Sequence, residues 1–185
     1  MKMRFWICGL ALASCLAYGQ TVKVSRASGN TENLNKVHPG MAIKPQDSAF
    51  FVQAMRTNVA EVKIGGLAQK QGGSQWSREY GKMLVMDHSQ AFEEIKQIGH
   101  RLKLPVSKKV SGEDQILYDR LARMRGAAFD NAFRQAMIAG HDGFSKLVER
   151  EIRGGNNSLI RNYAITLGPV VRQHLKMAQR KVTKL

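Results

Sequence analysis

The sequence predicts an all-α protein: a four-helix bundle with a short extra helix between the second and third long helices. Three observations predict it. Four stretches of ~25 residues, each ~37 Å long as a helix, repeat apolar side chains at 3-4 spacing. Glycine pairs, prolines and Ser, Asp or Asn caps punctuate these stretches. No stretch alternates apolar and polar residues in the manner of a half-buried strand. The 185 residues are 43% apolar and 23% charged, which fits a globular domain rather than a disordered chain. Four prolines and two cysteines exclude collagen and disulfide-knot architectures.

Residues 1–19 read as an export leader, with Lys2 and Arg4 ahead of an apolar run, Phe5 to Ala17, too short to span a bilayer. Two processing routes are open. Ala17-Tyr18-Gly19 is a small-x-small cleavage site that leaves Gln20 first, and Leu12-Ala13-Ser14-Cys15 resembles a lipobox that leaves a lipid anchor on Cys15. Either route places the protein in the periplasm or at the outer membrane. Cys8 and Cys15 both fall in or beside the leader, so the mature domain carries no disulfide. Residues 20–44 are polar, without apolar period, and read as a flexible tether. The bundle domain occupies 45–185, and no span in it is long and apolar enough to cross a membrane.

Within that domain the first helix opens at Pro45-Gln46-Asp47-Ser48, with Asp47 as its N-cap, and runs to Gln71. Gly72-Gly73 stop it, and Ser74 caps the second helix, which runs to Leu102 ahead of Pro105. A short helix covers Glu113 to Met124. The third long helix covers Ala127 to Arg153 and stops at Gly154-Gly155. Asn157 caps the last, which reaches Val182 with Pro169 as an internal kink.

Each long helix has a core line. The first carries Phe50, Ala54, Thr57, Glu61, Ile64 and Ala68; the second Leu84, His88, Ala91, Ile95, Ile98 and Leu102. The third carries Met137, His141, Phe144 and Val148, widened by Phe133 and Gly140; the fourth Ile160, Leu167, Val171, His174 and Ala178. An ionisable residue interrupts every line, and burying such a group is costly unless it is paired or ligated. Measured from the end of the bundle that holds both Gly-Gly turns, Glu61, His88, His141 and His174 lie ~15, ~21, ~20 and ~26 Å deep. One carboxylate and three imidazoles near one level form a candidate metal site for zinc or iron. Asp87 and Asp130 are candidates to hold a histidine tautomer by hydrogen bonding. A metal-free Glu–His network accounts for the same pattern.

The chain carries 29 Lys and Arg against 14 Asp and Glu, and +13 remains after the leader is removed. Outside the cytoplasm this charge matches anionic lipid, polysaccharide or acidic protein rather than nucleic acid. Its even scatter along the chain fits simple solubility as well. There is no phosphate-binding loop, Cys-x-x-Cys, His-Glu-x-x-His or Gly-x-Ser-x-Gly, which argues against hydrolase and nucleotide chemistry.

An ordered set of motifs resembles the exported bacterial family of domain of unknown function 4142, whose members are often labelled outer membrane proteins. The pieces are Asp47-Ser48-Ala49-Phe50-Phe51, Ala60-Glu61-Val62, Met86-Asp87-His88, Phe129-Asp130 with His141 twelve residues beyond Phe129, and Pro169 followed by His174-Leu175. They span residues 46–180, essentially the whole mature domain. The resemblance implies a ferritin-like four-helix fold and an envelope location, and no assigned activity. The duplicated Glu-x-x-His of di-iron carboxylate proteins is missing, which speaks against ferroxidase chemistry.

Overall fold

Glycine pairs and caps divide the chain much as its composition suggests. The structure, a computed structural model, describes residues 43–180. It holds five helices: α1 (Pro45–Gln71), α2 (Gln75–Leu102), α3 (Gly112–Ala122), α4 (Gly126–Gly154) and α5 (Ser158–Gln179). The described residues form no strand beyond a single bridge between Gly72 and Gly126. The leader with Cys15, the tether up to residue 42 and the tail containing Val182 lie outside the described residues.

Ser74 and Asn157 cap α2 and α5 as expected, accepting from Ser77 N and from Leu159 N and Ile160 N. The start of α1 differs. Its N-cap is Lys44, because Pro45, with φ already fixed near the helical value and no N–H to satisfy, takes the first helical position. Asp47 therefore sits inside the first turn, where its carboxylate accepts from Lys44 N at 2.8 Å. At the other end of the domain α5 stops at Gln179 and runs through Pro169 without a break.

The connectivity also departs from expectation: the two Gly-Gly turns lie at opposite ends of the bundle. The α1–α2 turn is held by Asp130 near the start of α4, which accepts from Gly73 N at 2.9 Å and Ser74 N at 2.7 Å. The α4–α5 turn is held by Asp47 in the first turn of α1, which accepts from Asn156 N at 2.8 Å and Asn157 N at 3.1 Å. Each turn is thus tied to the start of a helix from the other hairpin. For α4 to begin beside the α1–α2 turn, residues 103–125 must return along the bundle, and α3 supplies part of that crossover. Gln71 Nε2 receives its end, donating to Leu121 O and Met124 O.

The most extensive packing is within the hairpins α1–α2 and α4–α5. In the first, helices approach at Gly65 and Gly81: a Cβ on Gly65 would lie 2.7 Å from the Gly81 carbonyl oxygen, and one on Gly81 2.6 Å from the Gly65 carbonyl oxygen. Only glycine permits that contact. The apolar core falls into two clusters. One gathers Phe50, Phe51, Ala91, Ile95, Phe144, Ile160 and Val171; the other gathers Ile64, Leu84, Phe129, Phe133, Met137 and Ala178. In every long helix the chain passes from one cluster to the other through a buried polar residue. These are Asn58 and Glu61 in α1, His88 in α2, His141 in α4 and His174 in α5.

Candidate metal centre

Opposite placement of the turns brings these residues closer to one level than the sequence estimate did. Counted at ~1.5 Å per residue from the end where α1 and α5 begin, Glu61, His88, His141 and His174 lie at ~24, ~21, ~20 and ~24 Å. Level alone does not bring side chains together. The three histidines meet: each ring offers a nitrogen, and these nitrogens all lie within 4.8 Å of one another. Glu61 is not part of this group.

The rings are almost fully buried, at 1% (His88), 2% (His141) and 0% (His174) exposure. Their tautomers follow from what each outer nitrogen faces. His141 Nδ1 is 2.9 Å from the Met137 carbonyl oxygen, which only accepts, so Nδ1 carries the proton and Nε2 is bare. Asn58 Nδ2 donates to Tyr163 Oη at 2.8 Å, and Tyr163 Oη donates to the Ala91 carbonyl oxygen at 3.1 Å. Asn58 Oδ1 is therefore an acceptor. His88 Nδ1, 2.9 Å away, must donate to it, leaving His88 Nε2 bare; this nitrogen is buried and has no hydrogen-bond partner. His174 Nε2 lies 2.9 Å from the Asp87 carboxylate and donates to it, so its Nδ1 is bare as well. Tyr80 Oη steadies the same helix by donating to the His174 carbonyl oxygen at 3.0 Å.

Three lone pairs thus point inward. Two of them, His141 Nε2 and His174 Nδ1, face each other across 3.2 Å. With neutral rings that contact pairs an acceptor with an acceptor. Burial is the main reason the rings are neutral. It holds His88 well below the ordinary histidine value, with His141 and His174 adding to the effect. It lowers His141 to about 4, with His174 assisting and the Met137 carbonyl opposing. It lowers His174 too, against the pull of Asp87.

Two of the three nitrogens already stand at the spacing a transition-metal ion requires, and the third lies within 4.8 Å of them. Nitrogens ~2.0–2.1 Å from a tetrahedral zinc lie ~3.3 Å apart, close to the separation of the two facing nitrogens. A carboxylate, a backbone carbonyl and an amide hold the outer nitrogens, the arrangement that fixes ring orientation in metal-ligating histidines.

The expected partner residues separate. Asp87 holds a histidine, though His174 on α5 rather than its neighbour His88. Asp130 lies at the end of the bundle against the α1–α2 turn and holds no histidine; its carboxylate receives the backbone N–H groups of Gly73 and Ser74 instead. Glu61 is buried at 7% exposure with Oε2 unpartnered, and its carboxyl faces a groove between α1 and α4. The sequence reading missed Asn58, placing Thr57 on the core line in its stead. Asn58 is fully buried and Thr57 is not. The signal was available, because Ala54, Asn58 and Glu61 also stand four and three residues apart.

The sequence pattern described as Domain of unknown function (DUF4142) matches residues 33–180. The chain belongs to this family. No curated protein matches it significantly. Among solved structures it is similar to a crystal structure of a DUF305 fragment from Deinococcus radiodurans, with a TM-score of 0.65 at 11% identity, covering 74% of this chain and 95% of that one. At that identity the likeness concerns the fold alone. In this DUF4142 chain no described helix is long and apolar enough to cross a membrane.

Proposed function

We propose that this protein is an exported metal-binding helical bundle of the cell envelope, holding one zinc-class ion on His88, His141 and His174. The observation that carries the reading is the set of three inward lone pairs, each fixed by a hydrogen bond on the opposite side of its ring. Neutral imidazoles need no deprotonation at neutral pH, so binding carries little proton cost. A set of nitrogens without thiolate or carboxylate suits zinc better than a di-iron centre, which needs bridging carboxylates. Near-complete burial of the three rings favours holding an ion over turning over a substrate.

The single long crossover between α2 and α4 supports a ferritin-like arrangement of the two hairpins. The leader motifs and the basic balance of the chain support export and docking on anionic envelope components; salt-sensitive binding of unlipidated protein to anionic vesicles tests that docking.

An ion that binds only the folded form stabilises it by about 2.7 kcal/mol at a hundredfold excess over its dissociation constant. Zinc should therefore raise the melting temperature, a chelator should reverse the rise, and His141→Ala should abolish the response while remaining helical. A chelator-insensitive wild type with a destabilised His141→Ala would instead identify a metal-free hydrogen-bond network.

A further inference from the structure

The metal centre leaves Glu61 unused. Its carboxyl opens on a groove of about 340 Å³ between α1 and α4, with the start of α3 along one side. The groove has two unlike walls. On α1, Thr57 and Glu61 stand one turn apart, and Asp114 on α3 adds a second acid. On α4 the wall is apolar, with Phe144 and Leu147.

Two glycines keep that second wall open. A Cβ on Gly143 would meet nothing within 4 Å, and one on Gly140 would meet only the Glu61 carboxyl, at 3.9 Å from Oε1. Glycine is unfavourable inside a helix, so an open wall at this level runs against helix propensity. Glu61 Oε2 lacks a partner in a residue more than nine-tenths buried. The Glu61 carboxyl thus meets the open α4 wall through Oε1, while Oε2 lies buried behind it without a partner.

We propose that this groove binds a linear aliphatic amine, with its ammonium on Glu61 and its hydrocarbon chain along Phe144 and Leu147. The competing ligand classes fit less well. An anion would meet two acids. A neutral apolar molecule would bury the Glu61 carboxyl further without giving it a partner. A metal ion needs several ligating side chains in reach, and among the described residues the group of three or more is the histidine triad. Burial, followed by Asp114, pushes the Glu61 carboxyl up to about 8; an ammonium beside it favours the ionised form, so its binding near neutral pH releases the carboxyl proton.

Hexylamine and hexanol are the probes, titrated calorimetrically into the full mature chain and into Glu61→Gln, whose folding is checked by circular dichroism. Hexylamine should bind the wild type at one per chain. It should bind Glu61→Gln about tenfold or more weakly, the scale of one charge-assisted hydrogen bond. Hexanol should bind both proteins equally weakly. Zinc binding should be the same in both, because Glu61 lies outside the triad. Equal hexylamine affinity in wild type and variant would overturn the proposal. So would hexanol binding the wild type as tightly as hexylamine, or no hexylamine binding at millimolar concentration.

Discussion

Replacing Glu61 by glutamine should stabilise the protein, by an amount that grows with pH. Burial holds this carboxyl at about 8, against an ordinary 4.5. For an acid whose value is raised on folding, stability is full below the unfolded value and is lost as pH rises through the folded one. The window therefore opens near pH 4.5 and closes near pH 8. Across it the complete loss is about 5 kcal/mol at most, from about 1.4 kcal/mol per pH unit. Water entering the open groove reduces the cost, and about 2–3 kcal/mol is the expected size. Glutamine has nearly the same shape and no charge to desolvate, so it escapes the penalty. The assay is urea unfolding of wild type and Glu61→Gln, metal-free, near pH 5, 7 and 9. The two should be similar in stability near pH 5, and the variant should be more stable near pH 9. A constant difference across the range, or a variant less stable near pH 9, would refute the reasoning.

Glu151→Gln should act in the same direction with an earlier end. Burial and the neighbouring Asp47 carboxylate raise Glu151 to about 7, so wild-type stability declines from near pH 4.5 to near pH 7 and the variant should lose that part of the slope. Asp130→Ala removes both hydrogen bonds to the α1–α2 turn and should cost about 1–2 kcal/mol in urea unfolding while zinc affinity stays unchanged. Asn58→Ala releases His88 Nδ1 and should weaken zinc binding about 10–100-fold in competition with a chelator, with helicity retained.

The helices were legible because their ends carry local chemistry. Ser74 and Asn157 are caps whose side chains accept backbone N–H groups, Gly72-Gly73 follow α1, and Gly154-Gly155 close α4. Connectivity was less legible, because a Gly-Gly pair announces a turn without saying at which end of the bundle it lies. The clue was length: residues 103–125 are too many for a tight connection and enough for a return along the bundle. The histidines were legible because each interrupts an apolar line, and burial at such a position demands a partner. Glu61 interrupts its line in the same way yet faces a groove. A 3-4 pattern specifies the buried stripe of a helix and not which neighbour each side chain meets. At Thr57 and Asn58 the pattern admitted both residues, and packing against Tyr163 chose Asn58.

X-ray absorption of the protein loaded with one equivalent of zinc tests the three-histidine centre most directly. The spectrum should show zinc bound by three imidazole nitrogens at ~2.0–2.1 Å, with one further light ligand and no sulfur. The His88→Ala, His141→Ala and His174→Ala variants should each lose that signature. A zinc environment dominated by water and carboxylate oxygen, or one unchanged in any of the three variants, would contradict the account.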